Sequence, residues 1–481
     1  MDQLIVPTDI DDVPLYEPHK KVYPQRISGT FRNMKWGLMA VCLAIYYLVP
    51  FIRWDRGPNA PNQAVLVDFP NRRFYFFFVE IWPQEVYYFT GLLIIAAIAL
   101  FLMNAIGGRI WCGYLCPQTV WTDLYLAVER WIEGDRRERI RKDAAALTPR
   151  RVTEKITKHA IWILIAWWTG GAWVLYFDDA PTLAKQLATG EAPLVAYLWI
   201  AILTFTTYAL AGFMREQVCI YMCPWPRIQA ALTDEWALNV TYRYDRGEPR
   251  SSLKKALDLR AHGEKAGDCI DCYQCVAVCP TGIDIRDGAQ LGCIMCGLCI
   301  DACDSVMKKV GRPPRLIAYD TDINIKRRLA GEPAIIRLVR PRTIIYAAVI
   351  VIVAGVMLDT LLTRHLLGIS VLHDRNPLIV RLSDGSLRNA YAVRILNKQN
   401  YQREVRLDVE GLPEARFDIV GGDAPKGTML VTVGPDQTLE KRVLVTAPLQ
   451  AKLARSTTIT FRITDAVSGE TASARDHFLA E

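Results

Sequence analysis

Eight of the chain's thirteen cysteines fall in two runs, Cys269-x-x-Cys272-x-x-Cys275-x-x-x-Cys279-Pro280 and Cys293-x-x-Cys296-x-x-Cys299-x-x-x-Cys303. Three thiolates spaced by two residues wrap three corners of a cubane, and the more distant fourth completes a neighbouring cluster. This is the bacterial spacing for a pair of 4Fe–4S clusters. It assigns Cys269, Cys272, Cys275 and Cys303 to one cluster, and Cys293, Cys296, Cys299 and Cys279 to the other. Pro280 follows its cysteine as the pattern expects, whereas Asp304 stands where a second proline would be. Zinc sites usually separate Cys-x-x-Cys units by longer gaps and often add histidine, and His262 is the only histidine nearby.

A second cysteine signal repeats. Trp111-Cys112-Gly113-Tyr114-Leu115-Cys116-Pro117 and Val218-Cys219-Ile220-Tyr221-Met222-Cys223-Pro224 are both Cys-x-x-x-Cys-Pro with aromatic-rich spacers. If the backbone stays helical, each pair presents its sulfurs on one face, and the proline bends or ends the helix behind them. Cβ atoms at that spacing lie about 5–6 Å apart, wider than the roughly 3.5–4.5 Å of a disulfide. Soft thiolates favour Cu(I), zinc or iron–sulfur clusters, and Cys112, Cys116, Cys219 and Cys223 are the candidates for a metal or redox site. The alternative is thiols packed as small hydrophobes, the reading taken for lone Cys42. Met222 is read as core.

Other chemistries find little support. Six histidines include no pair within an apolar stretch and no Cys-x-x-Cys-His, which disfavours haem. No Gly-x-Gly-x-x-Gly turn or Walker lysine occurs, so an external electron donor is expected, either a cytoplasmic reductant or a quinol. Glu80, Glu85 and Asp359 are the acids nearest the expected outer membrane boundary; solvation there is their simplest role, a quinol or cation site the alternative.

The elements that must carry these cysteines are largely apolar. The 481-residue chain is 51% hydrophobic with mean hydropathy above zero. Five stretches approach the roughly 17–25 residues that cross a bilayer: 37–52, 86–106, 160–177, Leu194–Met214 and 343–362. The first thirty residues are polar and charged, resemble no cleavable signal, and read as a mobile tail. Basic residues crowd 107–159, and twenty Lys or Arg lie in 215–342, against one lysine in 178–193. The bias predicts cytoplasmic clusters and an outer C-terminus. The net charge of +7 is then a topology signal, with no nucleic-acid module.

From about Leu372 the cysteines stop and short alternating runs appear (389–397, 402–409 and 457–463), separated by turns such as Ser383-Asp384-Gly385, Gly421-Gly422-Asp423 and Gly434-Pro435-Asp436. The expected architecture is mixed: an α-helical membrane protein of about five helices, a cytoplasmic two-cluster ferredoxin-like (α+β) insert and a C-terminal immunoglobulin-like β-sandwich. The divisions are a tail at 1–36, four helices with both Cys-x-x-x-Cys-Pro motifs at 37–214, and a linker at 215–260. The ferredoxin-like domain at 261–310, a basic linker at 311–342, the fifth helix at 343–362 and a periplasmic β-domain at 372–481 follow. The β-domain is read as a docking module.

Together, the segments 111–118, 218–225 and 269–304 give the chain a resemblance to the CcoG/FixG/RdxA cytochrome c oxidase accessory proteins. That resemblance implies a multi-pass bacterial inner-membrane protein supporting assembly of cbb3-type oxidase. It also implies Cu(II) reduced to Cu(I) as the state passed to a copper transporter or chaperone. More distant relatives with the same membrane cysteine pairs serve nitrate and nitrous-oxide reductases. The activity expected is an oxidoreductase or an electron carrier, the alternatives being a quinol-linked module reducing a protein partner and a non-catalytic assembly scaffold.

Overall fold

The computed structural model of the chain describes residues 21–58, 60–399, 401–412, 414–420, 430–448 and 454–480. It divides into a first unit of 21–52 and 65–355 and a second unit of 53–64 and 356–480 within those residues. The turn expected at Gly421-Gly422-Asp423 and residues 1–20 of the expected tail lie outside the described residues.

Four helical stretches, Thr30–Phe51, Pro83–Gly107, Leu194–Met214 and Pro341–Leu362, are long and apolar enough to cross a bilayer. In the last, the most apolar window is 0% buried, and Ile344, Ile345, Val351, Ile352, Val356, Leu358 and Leu362 are all exposed. Each such side chain forgoes about 1.5–3 kcal/mol if left in water, together on the scale of the roughly 5–15 kcal/mol that holds a domain folded. Lipid is the solvent that removes this cost, so the chain is a membrane protein. The fifth expected span, 160–177, is the apolar half of a 26-residue helix, Pro149–Val174, whose first turns carry Arg150, Arg151, Lys155 and Lys158.

The first span begins earlier than its composition suggests, because Arg32 and Lys35 are buried on ion pairs rather than left at a boundary. Both reach the Asp123 carboxylate, Arg32 at 2.8 Å and Lys35 at 3.8 Å. Asp301 accepts from the backbone N–H groups of Phe31 and Arg32 and so caps this helix from another segment. Residues 21–29 are likewise no mobile tail. Gln25 donates its backbone N–H to Ala277 and Arg26 donates to Asp135, at 2.8 and 2.9 Å.

Two further segments hold structure that their composition hides. Val65–Asp68, Arg73–Phe76 and Val79–Ile81 make a three-stranded antiparallel sheet after the first span. Glu80 pairs with Arg73 at 3.2 Å, and buried Glu85 accepts from the Trp82 N–H, so neither simply faces solvent. The stretches expected as linkers hold strands Asn239–Tyr242 and Ile317–Asp320, which pair with each other and bracket the eight-cysteine segment. The cluster-bearing unit is therefore wider than 261–310.

In the second unit, one sheet runs Arg416–Ile419, Gln437–Ala447, Leu387–Asn397, Leu367–His373, with Val380–Arg381 also on Leu387–Asn397. The other runs Leu430–Val433, Arg403–Glu410, Ser456–Asp465, Thr471–Leu479. Alternation builds the shared core: Tyr391, Val393 and Ile395 face inward, as do Ile459, Phe461 and Ile463. The first strand starts at Leu367, ahead of Leu372, since Leu367 pairs with Asn397. His373 stacks on Tyr391.

Candidate functional site

Short-range spacing brings the eight clustered thiols to two places. Cys279, Cys293, Cys296 and Cys299 line one small, largely apolar cavity. Cys275 lies in its wall and interacts electrostatically with Cys269 and Cys272, while Cys303 does so with Cys275 and Cys272. Two helical turns set these neighbourhoods. Gln274–Ala277 carries Cys275 just before Cys279, and Leu298–Lys309 carries Cys299 and Cys303 one turn apart.

Burial pushes the Cys275, Cys293 and Cys303 thiols up to about 12 and Cys299 well above its ordinary value. At Cys299 the neighbouring Cys296, Cys293, Cys279 and Cys275 add to that effect. Four soft thiols crowded in an apolar cavity need cationic iron to hold them as thiolates. Among the described residues, no three Cys, His, Asp or Glu side chains gather tightly enough for a single ion. The thiols surround a space instead, which suits a multi-iron cluster better than a zinc ion. His262 is exposed and sits by Asp258, away from this chemistry. Cys272 is the one exposed thiol of the eight.

The Cys-x-x-x-Cys-Pro pairs depart from the expected helical face. Cys112 lies in the short helix Ile110–Tyr114, but Cys116 is extended (φ −60°, ψ 127°) and caps the next helix, Pro117–Glu133. Cys219 lies in a π-helical turn, Val218–Met222, and Cys223 is again extended (φ −80°, ψ 123°). A proline crowds the residue before it out of the α region, so each second cysteine leaves the helix. The four thiols still share a neighbourhood: Cys112 interacts with Cys116, Cys219 and Cys223, and Cys219 with Cys116 and Cys223. Burial, reinforced by these thiols, pushes Cys112 and Cys219 up to about 12. The Cys112 thiol donates to buried Gln229 at 3.4 Å. No preformed single-ion geometry exists here among the described residues.

The first motif packs directly on the loop that bears Cys293 and Cys296. A Cβ on Gly113 would fall 2.8 Å from the Ile294 carbonyl oxygen and 3.1 Å from the Cys296 Cα. Tyr114 donates its hydroxyl to the Cys296 carbonyl at 2.9 Å. Arg109 donates to the carbonyls of Leu291 and Cys293, and to Pro226 beyond the second motif. Cys112, Cys296, Val278 and Ile294 share one apolar core. Sequence reasoning missed Arg109, Gly113, Tyr114 and Gln229. One signal was available: an arginine precedes each motif, Arg109 before Cys112 and Arg215 before Cys219.

Eight clustered thiols in two neighbouring groups, beside helices apolar enough to span a bilayer, define an iron–sulfur electron-transfer protein of the membrane. A "4Fe-4S dicluster domain" family model matches residues 214–322, a "4Fe-4S binding domain" model matches 89–135, and a model of the "IG-like fold at C-terminal of FixG" matches 357–481. The chain is 51% identical over 463 residues to nitrogen fixation protein FixG of Rhizobium meliloti, covering 90% of this chain and 88% of that protein. It is 50% identical over 436 residues to protein RdxB of Cereibacter sphaeroides, covering 90% of each, and 50% identical over 440 residues to RdxA of the same organism, covering 90% and 91%. The chain belongs to the FixG/RdxA/CcoG family. A solved FixG-related protein from Vibrio parahaemolyticus aligns with 24% of this chain and 96% of its own, at 28% identity and a TM-score of 0.21.

Proposed function

We propose that this protein is a cupric reductase of the bacterial inner membrane that supplies Cu(I) for assembly of cbb3-type cytochrome c oxidase. Its thiol cavities lie on the cytoplasmic side and its C-terminal domain in the periplasm. The observation that carries the reading is the contact of Gly113 and Tyr114 with the Ile294–Cys296 backbone, which sets the Cys-x-x-x-Cys-Pro thiols against one multi-thiol cavity.

Cys269, Cys272, Cys275 and Cys303 would hold one 4Fe–4S cluster, and Cys279, Cys293, Cys296 and Cys299 the other. When bound, the clusters supply one-electron storage and transfer. Arg109 fixes the Cys293 loop through its carbonyls. Cys112, Cys116, Cys219 and Cys223 offer soft ligands to copper as substrate, and these favour the cuprous product over the cupric ion. One electron converts Cu(II) to Cu(I), which then leaves for a transporter or chaperone.

The test is anaerobic: reduce the purified protein, add Cu(II), and follow Cu(I) with a chelating dye beside the cluster spectrum. Matched Cu(I) formation and cluster reoxidation, lost when Cys219 and Cys223 are both serine, is the expected result. Clusters that stay reduced in copper would move the acceptor to a protein partner. Normal oxidase assembly by redox-dead protein would make the chain a scaffold.

A further inference from the structure

Beside the second motif lies an open cavity of about 310 Å³ that the copper chemistry does not use. It is built where the apolar half of Pro149–Val174 begins and where the span Leu194–Met214 ends in a π-helical turn, Tyr208–Met214. Such turns often mark functional sites. His159, Trp162 and Phe213 form its aromatic side, while Glu129, Lys158, Arg215 and Glu216 line its polar side. Gly212 keeps the space open, since a Cβ there would meet the Trp162 ring at 3.3 Å.

We infer that this cavity binds the head group of a membrane hydroquinone and admits its electrons to the iron–sulfur clusters. Four observations support this. The His159 Nδ1 lies 3.0 Å from the Tyr208 hydroxyl, and its Nε2 makes no hydrogen bond among the described residues. Burial and the Lys158 ammonium lower the His159 pKa, which keeps the imidazole neutral and able to accept a hydrogen bond. Phe213 is 57% exposed at the rim, and exposed Ile163 and Trp167 continue one and two turns beyond His159, an apolar track for a lipid tail. The polar wall mixes charges: Glu129 lies 3.0 Å from Arg215 and 3.7 Å from Lys158, and Asp143 and Glu216 add further carboxylates. With Lys21, Lys155, Lys158 and Arg215 facing Glu129, Asp143 and Glu216, the lining offers both the donors and the acceptors that a neutral hydroquinone needs.

The route onward is short. Arg215 and Glu216 also line a second cleft that reaches Cys219, Pro280 and Thr281, beside Cys279. On oxidation the hydroquinone's two O–H bonds break and its C–O bonds become carbonyls. One proton passes to the His159 Nε2 and one to a carboxylate of the polar wall. The clusters that the eight thiols would hold could take up the two electrons, one each. This inference rests on the electron-transfer reading but does not require copper.

The experiment uses the purified full chain in detergent, anaerobically. The fluorescent quinol analogue 2-heptyl-4-hydroxyquinoline N-oxide is titrated and its quenching followed. Saturable quenching is expected, weakened about ten-fold or more in His159→Leu, as loss of one polar contact predicts, and unchanged in Lys326→Ala, an exposed control. Decylubiquinol should then bleach the wild-type clusters and leave those of His159→Leu oxidised, while dithionite reduces both. Tyr208→Phe, which removes one hydroxyl, replaces His159→Leu if that variant lacks cluster absorbance, and the same weakening is expected. Absent or variant-independent quenching overturns the inference, as does displacement of the analogue by short-chain phosphatidylglycerol, which would make the cavity a lipid site. Wild-type protein without clusters would instead overturn the electron-transfer reading.

Discussion

Gly113→Ala tests the coupling of the two cysteine systems. The new methyl would stand 2.8 Å from the Ile294 carbonyl oxygen, 3.1 Å from the Cys296 Cα and 3.2 Å from its nitrogen. All three neighbours are backbone, so no rotamer change relieves the contact. Either the turn at Ile110–Tyr114 or the Cys293–Cys296 loop must give way by several tenths of an ångström, at a cost of about 1–3 kcal/mol for overpacking of this kind. The Tyr114 bond to the Cys296 carbonyl lies beside the displaced contact and weakens with it. The assay combines iron content, electron paramagnetic resonance of the reduced protein and the rate of Cu(I) formation. The signal of the cluster held by Cys279, Cys293, Cys296 and Cys299 should shift or disappear, the other should persist, and cupric reduction should fall. Gly171→Ala is the control: no atom lies within 4 Å of its Cβ, and alanine favours a helix by about 1 kcal/mol. Unaltered resonance and copper reduction in Gly113→Ala, at full iron content, would refute the proposed coupling.

Two further outcomes are expected. Cys303→Ser should perturb the cluster of Cys269, Cys272 and Cys275, whereas Cys279→Ser should perturb that of Cys293, Cys296 and Cys299; resonance spectra in which each serine alters the cluster of its own run would overturn the crossover. Asp123→Asn should destabilise the protein by about 3–5 kcal/mol, because Arg32 and Lys35 are left buried without their carboxylate. Burial opposes the Asp123 charge, but Lys35 and Arg32 outweigh it and hold the carboxyl below its ordinary 3.8. The stabilisation is therefore complete above that pH and fades as pH falls through the lower folded value. Thermal melts of the variant should lack this acid-side loss.

Much of the fold was legible in local pattern. The period-2 alternation of Leu387–Asn397 and Ser456–Asp465 marked strands because one face of each is buried. Of five long apolar runs, four stand in helices long and apolar enough to cross a membrane, since composition alone marks such segments. The strands at Asn239–Tyr242 and Ile317–Asp320 were read as linker, because each is four residues long and is stabilised by a partner far away in sequence. Nothing local shows that Arg32 and Lys35 are paired, because their partner Asp123 lies 91 residues from Arg32. Cys116 and Cys223 were the reverse case: the prolines after them already specified a break, but the i, i+4 spacing suggested a common face.

By itself the sequence determined the chemistry: how many soft ligands there are, how they are spaced in each run, and which segments prefer lipid. These depend on neighbours within a few residues or on composition alone. Tertiary structure decided which cavity meets the first Cys-x-x-x-Cys-Pro motif, through contacts such as Tyr114 with Cys296, 182 residues apart. It also decided that both motifs share one neighbourhood and that His159, which lines a cavity, meets the Tyr208 hydroxyl. Contacts at such separations leave no spacing in the chain, because packing of distant segments sets them.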